Sequence, residues 1–303
     1  MRLATLIESM PSPRSLRRSR RIAIASVVAL CFAGAGAAYA SELPSQTSTN
    51  WAGYTAITGS STRDYAKHFS SVSGTWVEPT ATCTAAQPTF SAFWVGLGGY
   101  RQTSKALEQA GSEADCSASG QISYYAWYEY VPQGPNTINR IAVSPGDEIT
   151  ATVAVKGDRA TVKLTDVTTG ATFKHTRKMR SPKPDVSAAE WIAEAPSTCN
   201  NNRCTPLTLT NFGSLTFTNA TATSVGIDGR QTGVIDDSDW IYGAIDLEST
   251  NSRSRFNQNE PSEATTGTLA ATGDSFSVTY GSGATGSSGS SGSSGTTGVT
   301  GAT

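Results

Sequence analysis

The chain reads as an all-β protein, an antiparallel β-sandwich of two large sheets, on three observations. Short runs alternate apolar and polar residues with a period of two. Clusters of Gly, Pro, Asn and Ser separate those runs, as turns between strands require. No long segment carries helical periodicity. So many half-apolar strands need a second apolar layer to cover them, which favours two packed sheets; a closed barrel fits the same pattern.

Residues 1–40 read as an export leader. Arg14, Arg17, Arg18, Arg20 and Arg21 form a basic start, the segment IAIASVVALCFAGAGAA is apolar, and Ala38-Tyr39-Ala40 is a small-x-small cleavage site. A short segment, 41–49, follows, too small to form a folded inhibitory prodomain, so secretion in a nearly mature form is expected. The sandwich domain is expected over 50–280, and the Gly/Ser/Thr-rich stretch 281–303, with nothing to bury, is expected to be a disordered tail.

Of the 23 basic and 24 acidic residues in the chain, six basic and one acidic lie in the leader, leaving a mildly acidic remainder. That balance argues against a nucleic-acid partner. Once the leader is removed no membrane segment is expected, and the protein should act outside the cell as a monomer. Four of the five cysteines lie beyond the leader: Cys83, Cys116, Cys199 and Cys204. An even number in an exported chain suggests two disulfides, and the local pairing, Cys83 with Cys116 and Cys199 with Cys204, is the simplest of three. No C-x-x-C knuckle is present and only His68 and His175 follow the leader, so neither a metal nor another cofactor is expected.

In chain order the clearest strands are HFSSVSGTWVEP, FSAFWVGL, ISYYAWYEYVP, EITATVAVKG, ATVKLTDV, ATFKHTR, AEWIAEAP, LTFTNATATSV, DWIYGAIDL and SFSVTYG. ATVKLTDV and ATFKHTR, joined by Thr168-Thr169-Gly170, form the best hairpin. Alternation then assigns faces. In ISYYAWYEYVP, Ile122, Tyr124, Ala126, Tyr128 and Tyr130 suit a core, whereas Ser123, Tyr125, Trp127 and Glu129 suit either a ligand-binding face or a solvated one. In KALEQAG, Lys105, Leu107 and Gln109 share a side opposite Ala106, Glu108 and Ala110. In AEWIAEAP, Glu190, Ile192 and Glu194 point one way and Trp191 and Ala193 the other. A Glu inside a strand must lose its charge or find a partner, which makes this segment a candidate for acid–base chemistry.

Other catalytic patterns fit poorly. Neither His lies near a G-x-S-x-G motif, and Asp-Thr/Ser-Gly loops are missing. Asp236, Asp237 and Asp239 lack the Gly and terminal Glu of a twelve-residue calcium loop and read as a solvated turn.

Taken together, NWAGY, SGTWVEP, FWVGLGG, EQAG, AWYEYVP, SPGD, TTG and AEWIAEAP, in that order from residue 50 to 196, resemble the glutamic peptidase (eqolisin) family. The resemblance implies a concanavalin A-like jelly-roll sandwich with its active site on a concave face. It implies a catalytic pair at Glu194 and Gln109, with Trp94, Trp127, Glu129 and Trp51 at the substrate cleft and polypeptides as substrates. Where the family often carries Asp, this chain has Gly98, so any contact from that carboxylate is lost. Glu194 would take a proton from a water shared with Gln109, and the Gln109 amide would stabilise the oxyanion. An unperturbed Glu titrates at about 4.3, so the resemblance implies acidic working conditions unless burial raises that value. The competing reading is a secreted carbohydrate-binding or glycoside-hydrolysing sandwich, with Glu129 and Glu194 or Glu190 and Glu194 as its carboxyl pair.

Overall fold

The computed structural model describes residues 41–58, 67–200, 203–248 and 262–281. The leader at 1–40 and tail residues 282–303 lie outside the described residues. Every regular element among the described residues is a strand. In chain order they are β1 (Ser41–Glu42), β2 (Gln46–Ser48), β3 (Trp51–Ile57), β4 (His68–Val77), β5 (Ala92–Gly98) and β6 (Leu107–Cys116). Next come β7 (Ile122–Tyr130), β8 (Asn136–Thr137), β9 (Glu148–Lys156), β10 (Arg159–Asp166), β11 (Thr172–Lys178), β12 (Ala188–Glu194) and β13 (Ser197–Asn200). The last are β14 (Arg203–Pro206), β15 (Ser214–Gly226), β16 (Gly229–Val234), β17 (Ile241–Glu248), β18 (Ser262–Thr266) and β19 (Phe276–Tyr280).

Antiparallel pairing arranges most of them in two layers. One runs β8–β7–β6–β5–β12–β3–β17. The other runs β11–β10–β9–β4–β15, with β16 and β19 along the far edge of β15. β18 pairs with both β17 and β19 and so joins the layers. The sequence reading of an antiparallel sandwich therefore holds, and β10 and β11 form the expected hairpin. Among strands of five or more residues, β3, β16 and β18 went unread because Gly, Thr and charged residues interrupt their alternation, and β1, β2, β8, β13 and β14 are too short to show one.

The core lies between the layers. Ala189, Trp191 and Ala193 from β12 and Phe93, Val95 and Leu97 from β5 pack with Val72 and Trp76 from β4, Ile149 and Val153 from β9, and Phe217 from β15. Trp191 and Trp76 are fully buried, and truncating such a side chain typically costs about 3–5 kcal/mol. Their indoles also find partners across the interface: Trp191 Nε1 donates to Ser73 O at 2.8 Å and Trp76 Nε1 to Ser112 Oγ at 3.0 Å. The face assigned to Ile122 departs from expectation. Ile122 begins β7 at the edge of the layer and is 39% exposed, whereas Ala126 and Tyr130 do enter the core.

Both disulfides have the local pairing expected, Cys83–Cys116 and Cys199–Cys204. The second clamps the β13–β14 hairpin. The Asp236–Asp239 stretch forms a turn beside β17 in which Asp239 pairs with Lys67 and accepts from Ser224.

Candidate active site

Alternation along three strands carries the candidate residues to the outer face of the first layer. On β12, Trp191 and Ala193 turn inward, which leaves Ile192 and Glu194 outside. On β6, Ala110 and Ala114 turn inward, leaving Leu107, Gln109 and Glu113 outside. On β7, Ala126 and Tyr130 turn inward, leaving Trp127 and Glu129 outside. Ala92, Trp94, Leu107, Trp127 and Ile192 pack into a second apolar cluster on this face. Above it opens a cleft of about 780 Å³ that Gln109, Glu113, Glu129 and Glu194 all line. The turn around Pro132–Pro135 and the hairpin closed by Cys199 and Cys204 form its walls.

Glu194 ends β12 at the cleft. Its Oε1 accepts from Asn50 Nδ2 at 3.0 Å and its Oε2 from Trp94 Nε1 at 2.8 Å. Burial raises its pKa to about 7. The Trp94 and Asn50 donors pull it down against that rise, because each favours the charged form, while the Glu129 carboxylate adds to it.

Gln109 is 5% exposed, and its Nε2 donates to Glu129 Oε2 at 2.6 Å. That bond fixes which way the amide faces, leaving its buried Oε1 without a protein donor. Burial raises the pKa of Glu129, and the Gln109 donor opposes the rise. Glu194 pairs with Ala92, which pairs with Glu113; Gln109 pairs with Gly96 and Glu129. Glu194 and Gln109 therefore stand two strands apart and offset along the sheet, lining one cleft without touching. Trp94 and Gly111 occupy the row between them. A Cβ at Gly111 would lie 1.9 Å from Phe93 O and 2.7 Å from Trp94 Cβ, so only glycine fits there.

The three tryptophans expected at the cleft stand differently. Trp51 lines it half-buried and packs edge-on against Trp94, with ring centroids 5.2 Å apart. Trp127 lines it and anchors its indole on Ser112 O at 3.1 Å. Trp94 has no exposed surface. Enclosed by β6 and β12, it reaches the site through its N–H, which it donates to Glu194 Oε2.

Three participants were not singled out from the sequence. Asn50, which immediately precedes β3, reaches Glu194 across 144 residues of chain. Glu113 has the parity of Gln109 on β6, a signal that could have found it. Beside Glu113, Asp115 accepts from Tyr125 OH at 2.9 Å, and burial raises the pKa of both carboxyls. Asp115 Oδ1 is buried and has no hydrogen-bond partner.

Two further carboxyls are sealed. Glu190 and Glu108 have no exposed surface, and neither oxygen of either has a hydrogen-bond partner. Burial pushes Glu190 well above the usual carboxylate range and Glu108 up to about 8, with Asp185 raising both further. Gly98 has φ +86°, and a Cβ there would lie 2.5 Å from Asp185 Cβ. Asp185, held by Ser104 Oγ and by Ser187 N at 2.9 Å, fills the space a side chain at 98 would need.

The Peptidase A4 family, as a sequence family, matches residues 49–280. The chain belongs to this family. These are the glutamic peptidases, or eqolisins, that the motifs resemble. Aspergillopepsin-2 of Aspergillus niger is 35% identical over 136 residues, 44% of this chain and 46% of that protein, so the chain spans about half the length of that relative. Among solved structures, scytalido-glutamic peptidase with a transition state analog inhibitor superposes with a TM-score of 0.57 at 22% identity, over 78% of this chain and 100% of that one. SCP-B, a member of the eqolisin family in complex with the tripeptide Ala-Ile-His, gives 0.53 at 22% identity with the same coverage. These likenesses establish that the A4 member described here shares their β-sandwich fold.

Proposed function

We propose that this chain is an endopeptidase that hydrolyses polypeptides with a water activated between Glu194 and Gln109, and that it acts outside the cell after residues 1–40 are removed. The observation that carries the reading is the pairing of unlike groups in one cleft. Glu194 is a carboxylate braced by two N–H donors, and Gln109 is a neutral amide braced by Glu129. The Glu194 carboxylate takes a proton from the water as the water attacks the scissile carbonyl. Gln109 Oε1 accepts from that water, and the Nε2–H not used by Glu129 faces the developing oxyanion. Protonated Glu194 then gives its proton to the departing amine. Export is supported by the leader pattern and by two disulfides, which persist in oxidising compartments.

The pKa of Glu194, about 7, moves the expected optimum upward from that of an unperturbed Glu. At pH 4 only about one molecule in a thousand carries the base form, so kcat/KM is expected to climb with pH until Glu194 is ionised.

The deciding experiment is casein cleavage by Glu194→Gln and Gln109→Ala. Each should lose about two to four orders of magnitude in kcat/KM while still unfolding in one cooperative thermal transition. A chelator or a serine-directed reagent should leave the wild-type rate alone. Glu129 and Glu194, two carboxyls in one cleft, also fit a glycoside hydrolase. Glycoside hydrolysis that survives Gln109→Ala would establish that reading and sink the dyad.

A further inference from the structure

We propose that Asn50 is a positioning residue for Glu194, and that residues 46–50 form a strap that holds Asn50 against the carboxylate. Its catalytic consequence rests on the peptidase reading; the contact itself does not.

Asn50 immediately precedes β3, whose Trp51 pairs with Glu194 on β12. Ala195 N donates to Asn50 O at 2.8 Å, extending that pairing past the strand end and bringing the Asn50 side chain level with Glu194 Oε1. Which end of the amide faces Glu194 is decided by Ser48. Its hydroxyl donates to Asn50 Oδ1 at 3.2 Å, so Nδ2 is the end turned to the carboxylate. Ser48 Oγ in turn accepts from the backbone N–H groups of Asn50, at 3.3 Å, and Trp51, at 3.2 Å, pinning the turn into β3.

The strap is anchored on both sides. β2 pairs in parallel with β17 through Gln46 with Ile245 and Ser48 with Leu247. Tyr100 OH donates to Gln46 Oε1 at 2.8 Å from the loop after β5. A segment that from sequence was a mere spacer between leader and domain is thus built into the sheet that carries the catalytic carboxyl. An exported chain starting at Ser41 keeps the strap; trimming past Ser48 removes the hydroxyl that orients Asn50.

An N–H donated to a carboxylate favours its ionised form, so losing Asn50 makes Glu194 harder to ionise. The indole N–H of Trp94 sits on the other oxygen of Glu194, so its ¹⁵N–¹H resonance, assigned with Trp94→Phe, reports that ionisation without any activity. In Asn50→Leu the titration midpoint should rise by about one pH unit, and in Ser48→Ala by less. kcat/KM should fall about tenfold below the wild-type midpoint and converge with wild type above it, with KM little changed. Ser48→Ala, a partly exposed change, guards against misfolding of the first variant. Midpoints within about 0.2 units of wild type in both folded variants would overturn the proposal. A shifted midpoint in a protein that cleaves no peptide would sink the peptidase reading and leave the positioning role standing. Cleavage of casein with an unmoved midpoint would sink the positioning role alone.

Discussion

Glu190 and Glu194 lie four residues apart on one strand and share a face, yet the fold makes opposite use of them. Glu194 ends the strand at the cleft, where two N–H donors meet its two oxygens. Glu190 lies further back on the same strand, paired with Gly96 and Thr55, has no exposed surface, and meets no donor at all. Burial raises both pKa values, but only Glu194 has bonds that stabilise its charged form. Desolvation alone yields a neutral acid that serves as packing. Desolvation with donors yields a carboxyl that can cycle between charged and neutral, which is what a base that must later return a proton requires.

The largest expected consequence concerns stability. Glu78, raised by burial to about 7, and Glu108, raised to about 8, join Glu190 as buried carboxyls favoured in the neutral form. Their unfolded-state values lie near 4.5, so the native state binds more protons than the unfolded state above that pH. The stability they contribute is fully present below about pH 4.5 and is lost as pH rises through 7 and 8. Thermal melts should therefore be highest in acid and fall by on the order of 10 °C between pH 4.5 and 8. A melting temperature constant across that range would mean that burial does not hold these carboxyls neutral in the native state.

Next in size is the effect of neutralising the sealed partner. Glu190→Gln should flatten the decline by a few degrees near pH 8 and leave kcat/KM within about twofold. A loss of activity as large as that of Glu194→Gln would show that Glu190 belongs to the chemistry after all. The smallest effect makes Glu194 more like Glu190. Trp94→Phe removes one of its two donors, so the midpoint of kcat/KM against pH should rise by about one unit, with a loss of up to tenfold at pH 6. An unchanged profile would mean that the indole only fills space.

Much of this site was legible beforehand because strand parity is a local property. Alternation set Glu194 against Trp191 and Gln109 against Ala110, and grouped Trp127 with Glu129; the structure keeps those groupings and turns Trp191 and Ala110 inward. Asn50 was not legible, since its reach to Glu194 depends on how a segment 144 residues away enters the sheet. Nor could alternation tell that Trp94, which shares a face with the cleft residues, would be enclosed with its N–H turned to Glu194. The same limit applies to Glu108, whose shared side with Ala106 and Ala110 was clear but whose lack of any partner depends on the neighbours supplied by Asp185 and its loop.

By itself, the sequence determined an all-β chain of alternating strands and which residues of each strand share a face; the sandwich and the local pairing of its cysteines were its favoured choices among alternatives. Tertiary structure alone decided which of two carboxyls on one face would meet Asn50 and Trp94 and which would meet no donor. Parity is set by the backbone of a single strand, whereas the donors that surround a side chain come from strands brought into register from distant parts of the chain.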